Sequence, residues 1–305
     1  MTTGTAPRAH LVERAIEAMG TAPLAHPMPP PAPAERRLAE VLAAPLPEPP
    51  AAPAPRGPVV TMARLEEAGL AFALEGSARS KVMEELALIQ HPLLRAIAQG
   101  PGEARAAAAR RQVIMVTSAR RGEGKSFTSL NLAASIAATT PQQVVLVDVD
   151  GGASSLTRRF GLMTERGLLS LAAEPGQPKE ALLLPTAIER LSILPHGWLV
   201  SGRSRPPAAD ALSVAIRALA VALPGHLLIL DTPPALSTSD AQALASLVGQ
   251  VVLVVRAEST QRDEVEAALD LVEACPLLHL LLNRSRLATN DSFGAHGEYG
   301  ASKDE

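Results

Sequence analysis

Short apolar runs alternate with helix-like segments from about residue 111 to residue 283. The runs are continuously apolar, which is typical of strands that are covered by helices on both faces. The predicted strands are Val113–Thr117, Val144–Asp148, Leu191–Leu194, Leu227–Asp231, Gln250–Val255 and Leu277–Leu282. The predicted helices between them are Lys125–Ala138, Ala208–Leu223, Ser239–Leu247 and Gln261–Glu273. This alternation predicts an α/β fold with a doubly wound, mostly parallel sheet.

The first hundred residues follow a different pattern. Apolar residues recur at helical spacing in Ala9–Met19, whereas 13 of the 38 residues from Thr21 to Pro58 are prolines, which favour an extended tether. Helical spacing returns at Met62–Ala68 and Ala78–Leu88. The predicted organisation is an N-terminal helix (1–20), a Pro/Ala-rich linker (21–58), a helical lead-in segment (59–104), the α/β domain (105–287) and a flexible Gly-rich tail (288–305). For residues 1–58, a poorly ordered extension with no partner is the alternative.

Composition narrows the classes of function. The formal net charge is −3 and aromatic residues make up 2% of the chain, which argues against a nucleic-acid partner. The single cysteine, Cys275, excludes an internal disulfide framework and a CxxC zinc site. The apolar runs are far shorter than the ~20 residues of a membrane span, and the N-terminus does not resemble a secretory signal. The expected location is therefore the cytoplasm.

The segment Val113–Asn131, VIMVTSARRGEGKSFTSLN, carries the strongest chemical signal. An apolar run ends at Thr117, a Gly-containing loop follows, and a helix is predicted to begin at Lys125. In a phosphate-binding loop, backbone N–H groups point at a polyphosphate, the lysine neutralises its oxygens, and the next hydroxyl group ligates Mg²⁺. The first glycine of the G-x-x-x-x-G-K-[ST] pattern is replaced by Ala119. The predicted nucleotide-binding residues are Gly122, Glu123, Gly124, Lys125, Ser126 and Phe127.

Aspartates stand at the ends of two predicted strands. The sequence VVLVDVD places Asp148 and Asp150, and LLILDTPP places Asp231. Ligands bind at the carboxyl edge of parallel sheets, so these carboxylates are expected to converge on Mg²⁺ held by Ser126, some of them through water. Each aspartate taken alone also fits a turn or helix-capping role. The predicted metal ligands are Ser126, Asp148 and Asp231, and the predicted catalytic residues are Lys125, Asp148, Asp150 and Asp231.

Together these motifs resemble the deviant P-loop ATPases of the MinD/ParA superfamily, and most closely the bacterial tyrosine kinases (BY-kinases) of capsule and exopolysaccharide synthesis. Ser118–Ser126 resembles the Walker A motif of these kinases. Asp148 and Asp150 resemble their Walker A′ motif, and Asp231, which is followed by Thr and two prolines, resembles their Walker B motif. Three further segments resemble the exosortase-associated autokinase subgroup: Leu191–Gly197, Val248–Val255 and Leu280–Ser285.

The resemblance implies a MinD/ParA-like P-loop NTPase fold that binds ATP and Mg²⁺. It implies a cytoplasmic kinase domain that docks on a membrane chain-length determinant, a polysaccharide co-polymerase, and so associates peripherally with the inner face of the membrane. It further implies that an asparagine after the last strand, here Asn283, recognises the adenine base of ATP. The expected phosphoacceptor is a tyrosine in the tail, here Tyr299.

Several positions depart from the family pattern. BY-kinases carry D-x-D-x-R, but Asp150 is followed by Gly-Gly-Ala. Their oligomerisation helix reads E-E-x-R-x-x-R, and this chain keeps Glu84 and Glu85 but neither arginine, which predicts weak self-association. Their tail holds a tyrosine cluster, but Tyr299 is the only tyrosine here. Arg120 falls where MinD/ParA proteins carry their signature lysine.

These observations favour a Mg·ATP-binding protein-tyrosine autokinase that acts in exopolysaccharide biosynthesis or export. One alternative is a non-kinase switch that binds or hydrolyses ATP and thereby changes its affinity for a membrane partner. A second is a MinD/ParA-type positioning ATPase, which a membrane-targeting amphipathic helix or a basic DNA-binding face would favour. No nucleic acid is expected as a partner.

Overall fold

The computed structural model describes residues 60–71, 81–98, 105–197 and 209–285. All of them belong to one unit that spans Arg56–Glu305. The predicted N-terminal helix, the Pro/Ala-rich linker and the tail with Tyr299 lie outside the described residues. Within these ranges, no helix is both long enough and apolar enough to cross a bilayer.

The lead-in segment contributes α1 (Met62–Glu67) and α2 (Lys81–Ala98), and the α/β domain provides the rest. In chain order the domain consists of α3 (Arg105–Arg111), β1 (Val113–Ser118), α4 (Lys125–Thr139), β2 (Gln143–Asp148), α5 (Leu156–Arg159), α6 (Leu168–Ala173), β3 (Leu184–Pro185), β4 (Leu191–Leu194), α7 (Ala209–Ala222), β5 (His226–Asp231), α8 (Ala241–Ala245), β6 (Gln250–Arg256), α9 (Arg262–Val272) and β7 (Leu278–Asn283). Two 3₁₀ turns, Glu180–Leu182 and Ala235–Ser237, complete the described elements.

The seven described strands form one sheet in the order β3-β4-β2-β5-β1-β6-β7, and all pairs are parallel except β3 with β4. The predicted doubly wound, mostly parallel sheet is therefore confirmed. In register, Asp148 lies beside Asp231, and Asp231 lies beside Val116 of β1. The carboxyl ends of β1, β2 and β5 thus meet at one edge of the sheet, immediately below the loop that follows β1.

Helices cover both faces of the sheet. Alternate residues of β1 point to opposite faces, so Ile114 and Val116 join the core under α2 and α4, whereas Val113 and Met115 join the core under α7, α8 and α9. All six residues of β1 are buried. This double coverage explains why the central strands are continuously apolar in sequence.

Strand β7 contradicts the prediction that every apolar run is covered on both faces. Leu278, Leu280 and Leu282 point to one side of this edge strand and are 41%, 62% and 62% exposed within the described part of the chain. Their neighbours across the sheet, such as Leu253 of β6, are buried under α9. Because α9 packs over β6, it does not cover the last strand.

Some predicted helix bounds were wrong. The helix predicted over Ala78–Leu88 runs from Lys81 to Ala98 and continues through Pro92, and the one predicted over Ser239–Leu247 is a five-residue helix, Ala241–Ala245. Helix α3 was not predicted, because RAAAARR has no apolar periodicity. The short antiparallel β3 was missed as well, since two residues carry no pattern.

Residues 60–71 of the lead-in segment are fixed to the domain at two places. Val60 forms a β-bridge with Thr186 beside β3. At the other end, the buried amide of Asn131 in α4 accepts a hydrogen bond from Ala71 N (2.8 Å) and donates one to Gly69 O (2.8 Å). Asn131 also donates to Phe127 O within α4, so the bonds to Gly69 and Ala71 hold the segment against this helix. Residues 60–71 therefore pack against α4 and beside β3.

Candidate nucleotide-binding site

The loop between β1 and α4 has the backbone of a phosphate-binding loop. Gly122 and Gly124 have φ values of +85° and +106°, a conformation that favours glycine. A Cβ atom at Gly124 would also overlap the side-chain amide nitrogen of Asn283, so another residue there would strain the backbone and displace Asn283. Helix α4 begins at Lys125, and its first N–H groups point into the loop, as anion binding requires.

Lys125 lies between two of the predicted catalytic carboxylates. Its Nζ atom is 2.6 Å from Asp150 Oδ2 and 4.0 Å from Asp231 Oδ1. The same ammonium group is 3.4 Å from Ser126 Oγ. The Lys125 side chain is only 9% exposed, so these interactions are poorly screened by water. The structure thus brings Lys125, Ser126, Asp150 and Asp231 together, as the sequence predicted.

The three aspartates differ in their electrostatics. Burial, together with the neighbouring charge of Asp231, raises the pKa of Asp148 to about 7. Burial likewise raises the pKa of Asp231, although the positive charge of Lys125 opposes that rise. Burial would also raise the pKa of Asp150, but the hydrogen bond and the charge of Lys125 outweigh it and hold that pKa below its ordinary value. Asp150 is therefore ionised at neutral pH.

Asp231 and Ser126 fit the binding of Mg²⁺ best. Asp231 Oδ1 accepts a hydrogen bond from Ser129, whereas Oδ2 is buried and has no hydrogen-bond partner among the described residues. A carboxylate oxygen left unsatisfied in this way suits a hard cation that prefers oxygen ligands. Asp148 differs, because its two oxygens accept hydrogen bonds from Thr157 N (2.6 Å) and Asp150 N (3.1 Å).

A cavity of about 480 Å³ opens beside the loop. Its walls include five predicted nucleotide-binding residues from the loop and α4, namely Gly122, Gly124, Lys125, Ser126 and Phe127, together with Asp150 and Asn283. Glu123, Asp148 and Asp231 are buried and are not among the lining residues. The cavity therefore brings most of the predicted site residues to one surface, while these three carboxylates lie behind that surface.

Glu123 and Asn283 hold the shape of the loop. The Glu123 carboxylate accepts a hydrogen bond from Arg120 N (2.9 Å) and another from the hydroxyl of Thr260 in the β6–α9 connection. Asn283, at the end of β7, donates from its side chain to Glu123 O (2.8 Å) and also lines the cavity. The buried Glu123 side chain is thus an anchor within the protein. That Asn283 reads adenine remains a prediction.

Four arginines around the loop were not among the predicted site residues. Arg121, Arg159 and Arg284 line the cavity, and Arg120 forms an ion pair with Glu264 of α9. Arg120 and Arg121 lie within the phosphate-binding loop motif, so the sequence alone could have placed them near the site. Arg159 is nine residues beyond Asp150, and no spacing rule connects it with the loop; only the folding of the β2–α5 connection brings it there.

Comparisons with known proteins agree with this geometry. Residues 109–292 match the ParA family, described as NUBPL iron-transfer P-loop NTPase. Tyrosine-protein kinase YwqD of Bacillus subtilis (strain 168) is 30% identical over 192 residues, which cover 60% of this chain and 77% of YwqD. Tyrosine-protein kinase CpsD of Streptococcus agalactiae is 31% identical over 199 residues, covering 62% and 80% of the two chains. The crystal structure of the chimerical protein CapA2B2 has 29% identity and a TM-score of 0.53 over 68% of this chain and 86% of that chain.

Iron transfer belongs to the description of the matched family, and the sequence gives no reason to extend it to this chain. The kinases YwqD and CpsD, by contrast, each match about 60% of this chain at 30% and 31% identity. The chain belongs to the BY-kinase family, and its α/β domain is a ParA-type P-loop NTPase.

Proposed function

We propose that this chain binds Mg·ATP in the cavity beside Lys125 and transfers a phosphoryl group to tyrosine, with Tyr299 of the tail as the acceptor. The observation that carries the proposal is the position of Lys125, held 2.6 Å from Asp150 at the start of α4 and at the edge where β1, β2 and β5 end. Kinase names among relatives of about 30% identity support the reaction class.

Phosphoryl transfer requires mainly positioning and charge neutralisation. The N–H groups from Gly122 to Lys125 would hold the phosphates, and the Lys125 ammonium group would neutralise their oxygens. Ser126 and Asp231 would hold Mg²⁺, which supplies further positive charge at the phosphates when it is bound. Asp148, behind the cavity, would fix the backbone at Thr157 and Asp150, with which it already forms hydrogen bonds.

Asp150 is the carboxylate placed best to orient an attacking hydroxyl group. It lines the cavity and is ionised at neutral pH, whereas Asp148 is buried behind it. When phosphate oxygens bind the Lys125 ammonium group, Asp150 loses its ion-pair partner. Its carboxylate then becomes a stronger hydrogen-bond acceptor. A tyrosine hydroxyl group that enters the cavity could then donate its hydrogen bond to Asp150.

We extend the proposal to the cellular role. The chain would act in exopolysaccharide biosynthesis or export, within the exosortase-associated subgroup, and would bind a membrane chain-length determinant from the cytoplasmic side. The support is the likeness of the segments LSILPHG, VGQVVLVV and LLLNRS to that subgroup. Co-purification of the full-length chain with a membrane chain-length determinant of the same organism would test this part.

A non-kinase ATP-dependent switch is the second candidate function. Two observations favour it: Gly152 stands where BY-kinases carry an arginine, and the chain has one tyrosine. A MinD/ParA-type positioning ATPase is less well supported. The cation at the signature position, Arg120, is paired with Glu264 of its own chain and so is not directed toward a second subunit.

Intact-mass spectrometry after incubation with Mg·ATP separates the kinase from the switch. The wild-type chain should gain one phosphate, and both Tyr299→Phe and Lys125→Ala should gain none. If the wild type binds or hydrolyses ATP and gains no phosphate, the kinase proposal fails and the switch stands. If Tyr299→Phe still gains a phosphate, another residue is the acceptor.

A further inference from the structure

We propose that Arg159 is a phosphate-binding residue of the cavity and that it supplies the guanidinium group that position 152 lacks. This inference rests on the proposed binding of Mg·ATP. The structure places Gly152 and Arg159 on the same cavity wall, although seven positions separate them in the sequence. Position 152, where BY-kinases carry an arginine, and Arg159 therefore border the same cavity.

The Arg159 guanidinium group is already oriented by two backbone carbonyl groups. Its Nε donates to Ser154 O (3.2 Å), and Nη1 donates to Ala68 O (3.3 Å). A guanidinium group has five N–H donors, so three remain for a ligand. Because two hydrogen bonds hold the side chain, less rotational freedom is lost when a phosphate binds.

Charge in the cavity favours an additional cation. Lys125 is paired with the ionised Asp150, with 2.6 Å between Nζ and Oδ2, so the lysine charge is largely balanced within the protein. A polyphosphate bound with one Mg²⁺ still carries net negative charge. An arginine on the wall can meet that charge with bidentate hydrogen bonds, which a single ammonium group cannot do.

The lead-in segment links this residue to the rest of the chain. Ala68 O, which accepts from Arg159, is followed directly by Gly69, whose carbonyl accepts from Asn131 of α4. In the other direction, Arg64 donates from Nη1 to Phe160 O (3.0 Å), next to Arg159. Hydrogen bonds in both directions therefore connect the segment 60–71 with the end of α5. Arg64→Ala serves as a control, because it breaks one of these bonds without removing a group from the cavity wall.

The test is titration of the full-length protein with Mg·ATP by isothermal calorimetry. Arg159→Ala and Arg159→Met should each weaken binding about 10-fold or more, because a charge-assisted hydrogen bond to phosphate is lost. Arg159→Lys should recover part of the loss. Two controls should stay within about 2-fold of the wild type: Arg64→Ala, and Arg158→Ala, whose side chain contacts Met163 instead of the cavity.

The outcomes separate this inference from the proposed function. If the wild type does not bind Mg·ATP, the proposed function itself fails. If the wild type binds and both Arg159→Ala and Arg159→Met bind equally well, Arg159 is not a phosphate-binding residue and the inference alone is overturned. A loss in Arg64→Ala as large as that in Arg159→Ala would likewise overturn it, because loosening of the lead-in segment would then explain both.

Discussion

The ammonium group of Lys125 and the carboxylate of Asp150 form an ion pair, with 2.6 Å between Nζ and Oδ2 and side chains that are 9% and 15% exposed. A phosphate-loop lysine and the second aspartate of the D-x-D motif thus neutralise each other across the site. Binding of phosphates must redistribute this charge, because the ammonium group then faces phosphate oxygens as well. The pair therefore couples occupation of the loop to the state of Asp150.

Lys125→Ala should abolish detectable Mg·ATP binding. The substitution removes the one side-chain cation at the start of α4 and leaves Asp150 without its partner, so a carboxylate then faces the phosphates. Calorimetry measures the effect, and Lys81→Ala is the matched control, because Lys81 is 79% exposed and, among the described residues, pairs with Glu85 in α2. Unchanged affinity in Lys125→Ala would contradict the assignment of the phosphate-binding loop.

Asp148 should make stability depend on pH. Its pKa is about 7 in the folded chain and near 3.8 when unfolded, so the folded state binds more protons between these values. The free energy of unfolding therefore loses a contribution as pH rises from about 4 to about 7, and the loss is constant above that range. Asp148→Asn removes the titrating carboxyl group, and its amide has one hydrogen-bond acceptor atom fewer than the carboxylate.

Urea unfolding of the wild type and of Asp148→Asn, measured from pH 4 to pH 8, tests this dependence. The stability of the variant relative to the wild type should increase with pH by an amount on the order of a few kcal/mol and level off above pH 7. The histidines titrate in both proteins and largely cancel in the difference. A difference that does not change with pH would contradict the raised pKa of Asp148.

Asn131→Ala should loosen the lead-in segment. The substitution leaves Ala71 N and Gly69 O without their partner, which should lower the free energy of unfolding by about 2 kcal/mol or more. Ser135→Ala, also in α4, removes one hydrogen bond to Gln90 and should cost about 1 kcal/mol. Urea unfolding gives both values, and faster tryptic cleavage at Arg64 only in Asn131→Ala would locate the change.

The isolated protein should associate only weakly, from monomer to dimer. Helix α2 keeps Glu84 and Glu85, but the two arginine positions of the family pattern are occupied by Ala87 and Gln90. Gln90 is engaged within its own chain, since it accepts from Ser135 Oγ (3.1 Å) and donates to Thr139 Oγ1 (3.3 Å). Light scattering should report a mass between monomer and dimer, and a stable ring at micromolar concentration would refute the prediction.

Ala87→Arg tests the same idea by gain of function. Ala87 is exposed, so an arginine there costs little stability and restores one basic group beside Glu84. The average mass in light scattering should rise at a given concentration. Ala63→Arg, at an exposed position of α1, is a control for added charge elsewhere and should leave the mass unchanged.

The sequence by itself determined the central part of the fold and most of the candidate site. A strand buried on both faces must be apolar throughout, so β1, β2, β5 and β6 could be located within one residue at each end. Loop glycines followed by Lys125 and Ser126, and aspartates at strand ends, are local patterns with a chemical reason. Because parallel strands share one carboxyl edge, those patterns also placed Asp150 and Asp231 near Lys125 before any coordinates were known.

Only the tertiary structure decided what depends on contacts between distant segments. The exposure of Leu280 follows from where α9 ends its coverage of the sheet, and the same apolar run would be buried in the middle of the sheet. Likewise, Asn131 is polar in a helix interior, and only the approach of Gly69 and Ala71 shows which groups it satisfies. Arg159 reaches the cavity because the chain folds back after Asp150. Hydrophobic periodicity reports which elements form, but side-chain partners between them are fixed by packing, which no local pattern encodes.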